Sequence, residues 1–247
     1  METEKQSTGE EQTFDCSEEG GQSQAAVARG NYFSRNRRLL LSCVIIFLVA
    51  VGCRLLSWQD NRFEARKVQT AVTEGYKHTG RLLQQGGVSS FFSRNSPLSD
   101  PNHLGHPPGY SILIAAVFNL FGESDAALQL IQIVADAAAA VVVFLISLAL
   151  LNATTAIIAG LLVALAPQFT YNSVMLLPDS LSVLPILLAV YFLTRAYKRP
   201  RLVTFVITGA LVGLSCWLRA NALLLAPFIA AAIPLLFERG RRMRYAL

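Results

Sequence analysis

From Ala126 to Thr194 the chain carries no lysine or arginine and only two acids, Asp136 and Asp179. A segment that long with so little charge cannot clothe a water-exposed surface. A globular domain of ordinary composition carries about 25% charged residues; this chain carries 15%, against 53% apolar. A water-soluble enzyme and a disordered or collagen-like chain are both excluded. What remains is an all-α polytopic membrane bundle, because helices satisfy their own backbone in hydrocarbon.

The remaining charge is sorted along the chain. Residues 1–30 hold seven acids against Lys5 and Arg29, a net of −5, which leaves +10 for the rest of a chain of net +5. Large apolar side chains are scarce in residues 1–34, so this stretch reads as a disordered tail, and residues 35–247 read as the membrane module. The bases lie beside apolar runs: Arg35, Arg37 and Arg38; Lys198, Arg199 and Arg201; Arg239, Arg241, Arg242 and Arg244. That is membrane-flanking charge and not a nucleic-acid footprint. Cys16, Cys43, Cys53 and Cys216 form neither a close pair nor a loop framework, so no disulfide scaffold or zinc site is indicated.

About seven hydrophobic segments follow: 39–56, 109–121, 126–151, 154–173, 180–195, 202–218 and 221–237. The first comprises about 18 residues, enough for one crossing at ~1.5 Å per residue. The intervening residues 58–106 are polar, and Arg62 to Gln85 reads as one or two amphipathic helices at the interface, ended by Gly86-Gly87. The positive-inside rule puts the N-terminus, Lys198–Arg201 and Arg239–Arg244 in the cytoplasm. Asp60, Asp179 and Arg219 then share the outer face. Parity is strained, because an even number of crossings must separate Asp60 from Asp179 and three segments lie between them. Segment 109–121 is too short to span ~30 Å unaided; it is either re-entrant or extended through Pro107-Pro108 with another segment broken instead.

Isolated charges at membrane-segment ends are the natural candidates for chemistry. Asp60 closes the first segment, where position alone favours a solvated interfacial carboxylate or an N-cap for a helix starting near Arg62. Asp179 suits a helix start by complementing its dipole. Arg219 stands alone between two apolar runs, where snorkelling to lipid phosphate is an equal reading. Asp100, His103 and His106 could hold a divalent metal or simply order a Pro-rich entry loop. Asp136, in an Ala-rich stretch, could pair between helices; it has no assigned role in a site.

Taken in order, these residues resemble the GT-C superfamily of membrane glycosyltransferases, in particular the polyprenyl-phosphate-sugar-dependent branch that includes protein O-mannosyltransferases and the aminoarabinose transferase. The resemblance rests on four elements. They are Asp60-Asn61-Arg62-Phe63 with an amphipathic stretch behind it, His106-Pro107-Pro108-Gly109-Tyr110 running to Gly122-Glu123-Ser124-Asp125, Ala166-Pro167 before Leu177-Pro178-Asp179-Ser180-Leu181, and Leu218-Arg219-Ala220-Asn221. It covers residues 39–240, with the second element the most specific. Asn61 stands where many members carry a second acid, and Gly105-His106 stand where the aminoarabinose branch has a Glu-Lys pair; no metal ligand is carried over.

The resemblance implies transfer of a sugar from a polyprenyl-phosphate donor to a hydroxyl on a lipid or protein acceptor. Asp60 would be the catalytic base, and Arg62, His106, Tyr110, Asp179 and Arg219 would bind substrate on the outer face of a bacterial plasma membrane, with Arg219 meeting the leaving phosphate, His106 or Arg62 assisting, and Asp179 positioning Arg219 or the acceptor. No nucleic-acid partner is implied. Because such enzymes are generally longer, it also implies an amino-terminal module. A non-catalytic membrane subunit, a transporter half and an inactive truncated product stay open at this point. No internal repeat favours a transporter, and the ionisable groups gather at one face instead of mid-membrane.

Overall fold

The computed structural model describes residues 17–68, 71–91, 93, 96, 98 and 106–236, with the side chains of 17–35, 62–68, Val88, Ala222 and 232–236 outside the described set. The described residues are helical almost throughout, which is the all-α membrane bundle expected. The chain divides into two compact units, Met1–Ser42 and Cys43–Leu247.

Helix α1 is Ser17–Val68. It begins inside the stretch expected to be a disordered tail, and the backbone of residues 17–34 is helical; the Gln/Ala run from Gln22 to Ala28 has good helix formers. Residues 1–16, the rest of that stretch, lie outside the described residues. In the first unit, Ser42 Oγ donates to the Arg38 carbonyl 3.0 Å away, one helical turn back.

The second unit holds the end of α1 and helices α2 (Ala71–Gly86), α3 (Gly109–Phe121), α4 (Asp125–Leu150), α5 (Ala153–Leu165), α6 (Pro167–Val174), α7 (Pro178–Lys198), α8 (Leu202–Leu218) and α9 (Leu225–Leu236). Its breaks are written in residue chemistry. Gly87 follows α2 and Gly122 follows α3, both with a positive φ (68 and 73) in the left-handed region that glycine enters without strain. Ser124 caps α4 by accepting from Ala127 N, and Asn152 caps α5 by accepting from Thr155 N. Pro167 forces Ala166 into extended backbone. Helices α5 and α6 meet there at 48°. Pro178 opens α7 at a position where its missing N–H costs nothing.

Three helical stretches are long and apolar enough to cross a membrane: Asn36–Asn61, Asp125–Leu150 and Pro178–Lys198. The bent α5–α6 pair makes a fourth, and α8 is a shorter apolar helix, about 26 Å long. The outward faces are apolar, with Leu48, Leu162, Val206 and Phe228 all well exposed. In water that surface would drive aggregation; in lipid it is the expected coat.

Close packing of α1, α4 and α5 depends on small residues. Ala156, Gly160 and Ala164 repeat every four residues, so they line one buried stripe of α5. A Cβ on Gly160 would stand 2.9 Å from Ile46 Cδ1 and 3.0 Å from Phe144 Cβ. Such a small-residue stripe is how helices approach where lipid removes the hydrophobic drive to associate.

The parity question resolves at α3. This short helix spans only about 20 Å. It starts against the C-terminal end of α8, where Gly109 meets Trp217, and it is followed by Glu123 and Asp125, which are held by Arg81 and Lys77 of α2. Helix α2 lies along α3, with Gly80 against Ile114. Both ends of α3 therefore belong to one end of the bundle, and it does not cross. Two crossings, α4 and the bent α5–α6 pair, remain between Asp60 and Asp179. The count is even.

Candidate functional site

Two glutamines on α4 organise this end. Gln129 and Gln132 are three residues apart and so share a face. Trp58 Nε1 of α1 donates to Gln129 Oε1 at 2.8 Å, and Gln129 Nε2 donates to the Val174 carbonyl at 2.8 Å. Gln132 Nε2 reaches the Met175 and Leu177 carbonyls (2.8 and 2.9 Å) and Ser180 Oγ (2.9 Å). The segment between α6 and α7 turns its carbonyls toward an apolar interior, where they need donors. The glutamines serve those of Val174, Met175 and Leu177, Thr73 Oγ1 of α2 donates to that of Leu176 at 3.3 Å, and together they hold in place the turn that delivers Asp179.

The His106–Tyr110 element enters from the other side. Tyr110 is buried and donates to Gln132 Oε1 at 3.2 Å. Tyr76 of α2 packs against both of the element's rings: edge-on to Tyr110 at 5.2 Å and tilted 35° to His106 at 5.0 Å. Such offset and edge-on geometries are the favoured ones for aromatic pairs. Burial pushes the Tyr76 phenol above its usual range, partly offset by the charge of Arg219. Burial also raises Tyr110, with Asp125 and Tyr76 adding to it. Both remain neutral O–H donors at physiological pH.

Gly109 explains the tight end of the Pro-Pro-Gly run. A Cβ at this position would lie 2.5 Å from the Trp217 carbonyl oxygen and 3.2 Å from Leu218 N. Only glycine lets the start of α3 touch the end of α8. Directly after that contact comes Arg219, ion-paired with Asp179. Both partners are about two-fifths exposed at the side chain (40% and 39%), so the pair faces open space.

Asp60 lies two residues beyond Trp58 on α1, exposed. Among the described residues every other carboxylate has a basic partner: Glu74 and Asp125 with Lys77, Glu123 with Arg81, Asp136 with Arg54 and Asp179 with Arg219. Asp60 has none there. Asn61 turns back on its own helix, donating to the Ser57 carbonyl and hydroxyl. The end of the bundle thus gathers Asp60, His106, Tyr110, Asp179 and Arg219. Asp60 is linked to the rest through Trp58 and Gln129, and among the described contacts none joins it directly to the Asp179–Arg219 pair. The Arg62 side chain, Asp100 and His103 lie outside the described residues. Among those described, no three His, Cys, Asp or Glu side chains converge as metal ligands would.

Sequence reasoning missed Tyr76, the two glutamines and Arg54. The glutamines carried a signal: two amides three apart in an apolar run. Arg54 did too, as the lone base inside the first hydrophobic segment. It is fully buried, with Nε 2.6 Å from Asp136 Oδ2 and Nη1 3.0 Å from the carbonyls of Ala50 and Ala164; Nη2 lies 3.5 Å from that of Val163. The Val163 carbonyl would normally accept from residue 167, which is proline and has no N–H. Arg54 therefore caps the end of α5 where the bend strips it of donors, a favourable place for a cation.

A bundle of apolar helices with a polar, partly open cluster at one end defines a polytopic helical membrane protein. Residues 105–246, more than half of the chain, match the family model described as dolichyl-phosphate-mannose-protein mannosyltransferase. The chain belongs to that family, whose members are membrane glycosyltransferases of the GT-C type. The match includes His106, Tyr110, Asp179 and Arg219; Asp60 and Arg62 precede it. No curated protein and no solved structure matches the chain.

Proposed function

We propose that this chain, or the protein of which it is a part, transfers a glycosyl group from a polyprenyl-phosphate donor to a hydroxyl acceptor at the Asp60 end of the bundle, on the outer membrane face. The observation that carries the reading is the division of labour among the described carboxylates: five are held by bases, and the exposed Asp60 has no basic partner among the described residues. A carboxylate without an ionic partner is free to take a proton.

In the step proposed, the acceptor O–H gives its proton to the Asp60 carboxylate as its oxygen attacks the anomeric carbon. The bond from that carbon to the phosphate oxygen breaks, and the polyprenyl phosphate leaves with the electron pair and one more negative charge. Attack opposite the leaving group inverts the anomeric centre. Arg219 receives that charge, since a fixed cation at a developing anion is where electrostatic catalysis is strongest. Asp179 orients Arg219, while His106, held against Tyr76, and the Arg62 side chain contact the donor phosphate or sugar. Tyr110 donates to Gln132, and in this reading it shapes the floor beneath the donor. Mannose is the first sugar to test, by family.

The experiment is transfer of radiolabelled mannose from polyprenyl-phosphate mannose by the full chain in proteoliposomes, scored on total lipid and protein acceptors. Asp60→Asn should abolish transfer and Asp60→Glu should retain part of it, with both proteins inserted and folded. Full activity in Asp60→Asn would sink the assignment of the base. Impermeant labelling of single cysteines at positions 60, 179 and 219 tests the shared outer face. Each should label from outside only.

A further inference from the structure

At the opposite end of the bundle, the last turn of α7 and the start of α8 border a half-open hollow of ≈ 420 Å³ lined by Phe192, Arg195, Lys198, Arg199, Arg201 and Thr204, the four bases exposed. Four of its six walls are basic. Arg195 lies 5.8 Å over the Tyr191 ring with Nη1 3.4 Å from that hydroxyl, and Lys198 Nζ donates to the Ala149 carbonyl at the end of α4. Neither contact neutralises charge. Every described carboxylate is paired elsewhere or, as Asp60, stands at the other end. Four cations around one hollow repel each other unless an anion enters.

Two further observations say what kind of anion fits. Helix α8 starts at this cavity with extended Arg201 at its cap position and no side chain capping its free N–H groups, which adds the positive end of the dipole. Leu202, Val203 and Val206 are all more than 60% exposed on the first two turns of the same helix. A small hydrophilic anion would gain nothing from that apolar strip. A molecule with a phosphate head and hydrocarbon chains fills both.

We propose that this cavity is a binding site for the phosphate of an anionic phospholipid, with Arg195, Lys198, Arg199 and Arg201 around the headgroup and the acyl chains along Leu202, Val203 and Val206. The site is independent of the transfer reaction, since it shares no residue with the Asp60 end.

The test titrates the purified, delipidated full chain with phosphatidylglycerol, phosphatidylcholine or inorganic phosphate and reads bound species by native mass spectrometry. One phosphatidylglycerol should be retained per chain in preference to phosphatidylcholine. The double variant Arg199→Ala/Arg201→Ala should bind it about thirty-fold more weakly, at the usual worth of two bases near an anionic lipid. Arg199→Lys/Arg201→Lys should keep most of the affinity, and Arg81→Ala, at the other end, should change nothing. Equal retention of the two lipids, or unchanged binding by the double-alanine variant with a wild-type unfolding midpoint, would overturn the proposal. So would displacement of the lipid by inorganic phosphate, which would mark a site for the free ion.

Discussion

Two ion pairs divide this molecule. Arg54 and Asp136 are buried between α1, α4 and the bend of α5–α6, and the guanidinium also reaches three carbonyls. Arg219 and Asp179 meet at the ends of α8 and α7 with two-fifths of each side chain open. The first pair is saturated by its surroundings and has no face left for a ligand. The second leaves donors and acceptors unused. Identical chemistry thus serves cohesion in one place and is available for recognition in the other, and exposure decides which.

The sharpest break of that comparison is Arg54→Leu. It strands Asp136 in an apolar interior and should cost about 3–5 kcal/mol, read as a large fall in unfolding midpoint in detergent. The double variant Arg54→Leu/Asp136→Leu should recover much of the loss, although the bare carbonyls of α5 limit the recovery. If the single variant unfolds like wild type, the pair is not structural.

Arg219→Ala should do the reverse. Transfer should fall by about 10²- to 10³-fold, the scale for losing one donor to a developing anion, with the unfolding midpoint hardly moved. A stability loss as large as that of Arg54→Leu would erase the distinction drawn between the pairs.

Much of this was legible in the sequence, and the reasons are local. The bounds of α3 and α8 follow from apolar runs closed by Gly122 and by Arg219, and the breaks at Asn152 and Pro178 follow from capping and proline chemistry. The route of α3 was not legible. A short apolar run looks alike whether it plunges into a membrane or lies against α2. An interhelical pairing of Asp136 was legible but its partner Arg54 was not, because partners so far apart in the chain carry no periodic signal. Charge placement put Asp179 and Arg219 on a shared face, and the family resemblance implied that one positions the other; the glutamine bonds that hold Asp179 there depend on carbonyls that composition does not reveal.

A smaller effect probes those bonds. Gln132→Leu removes a donor shared among two carbonyls and a hydroxyl and should cost about 1–3 kcal/mol, with α7 loosened at its start. Amide exchange at residues 179–182 should quicken. The smallest effect belongs to Arg81→Ala, whose bond to Glu123 is half-exposed and should be worth no more than about 1 kcal/mol in a thermal melt.

Gly109 carries a consequence of another kind. With 2.5 Å between a hypothetical Cβ and the Trp217 oxygen, this residue acts as a gauge block between two helix ends. The absent methyl group sets how far the start of α3 stands from the end of α8, and so where the cation of Arg219 is presented. Substituting it need not touch any reacting group to retune the site. The separation it sets is a dimension of the proposed site, held by a residue with no side chain.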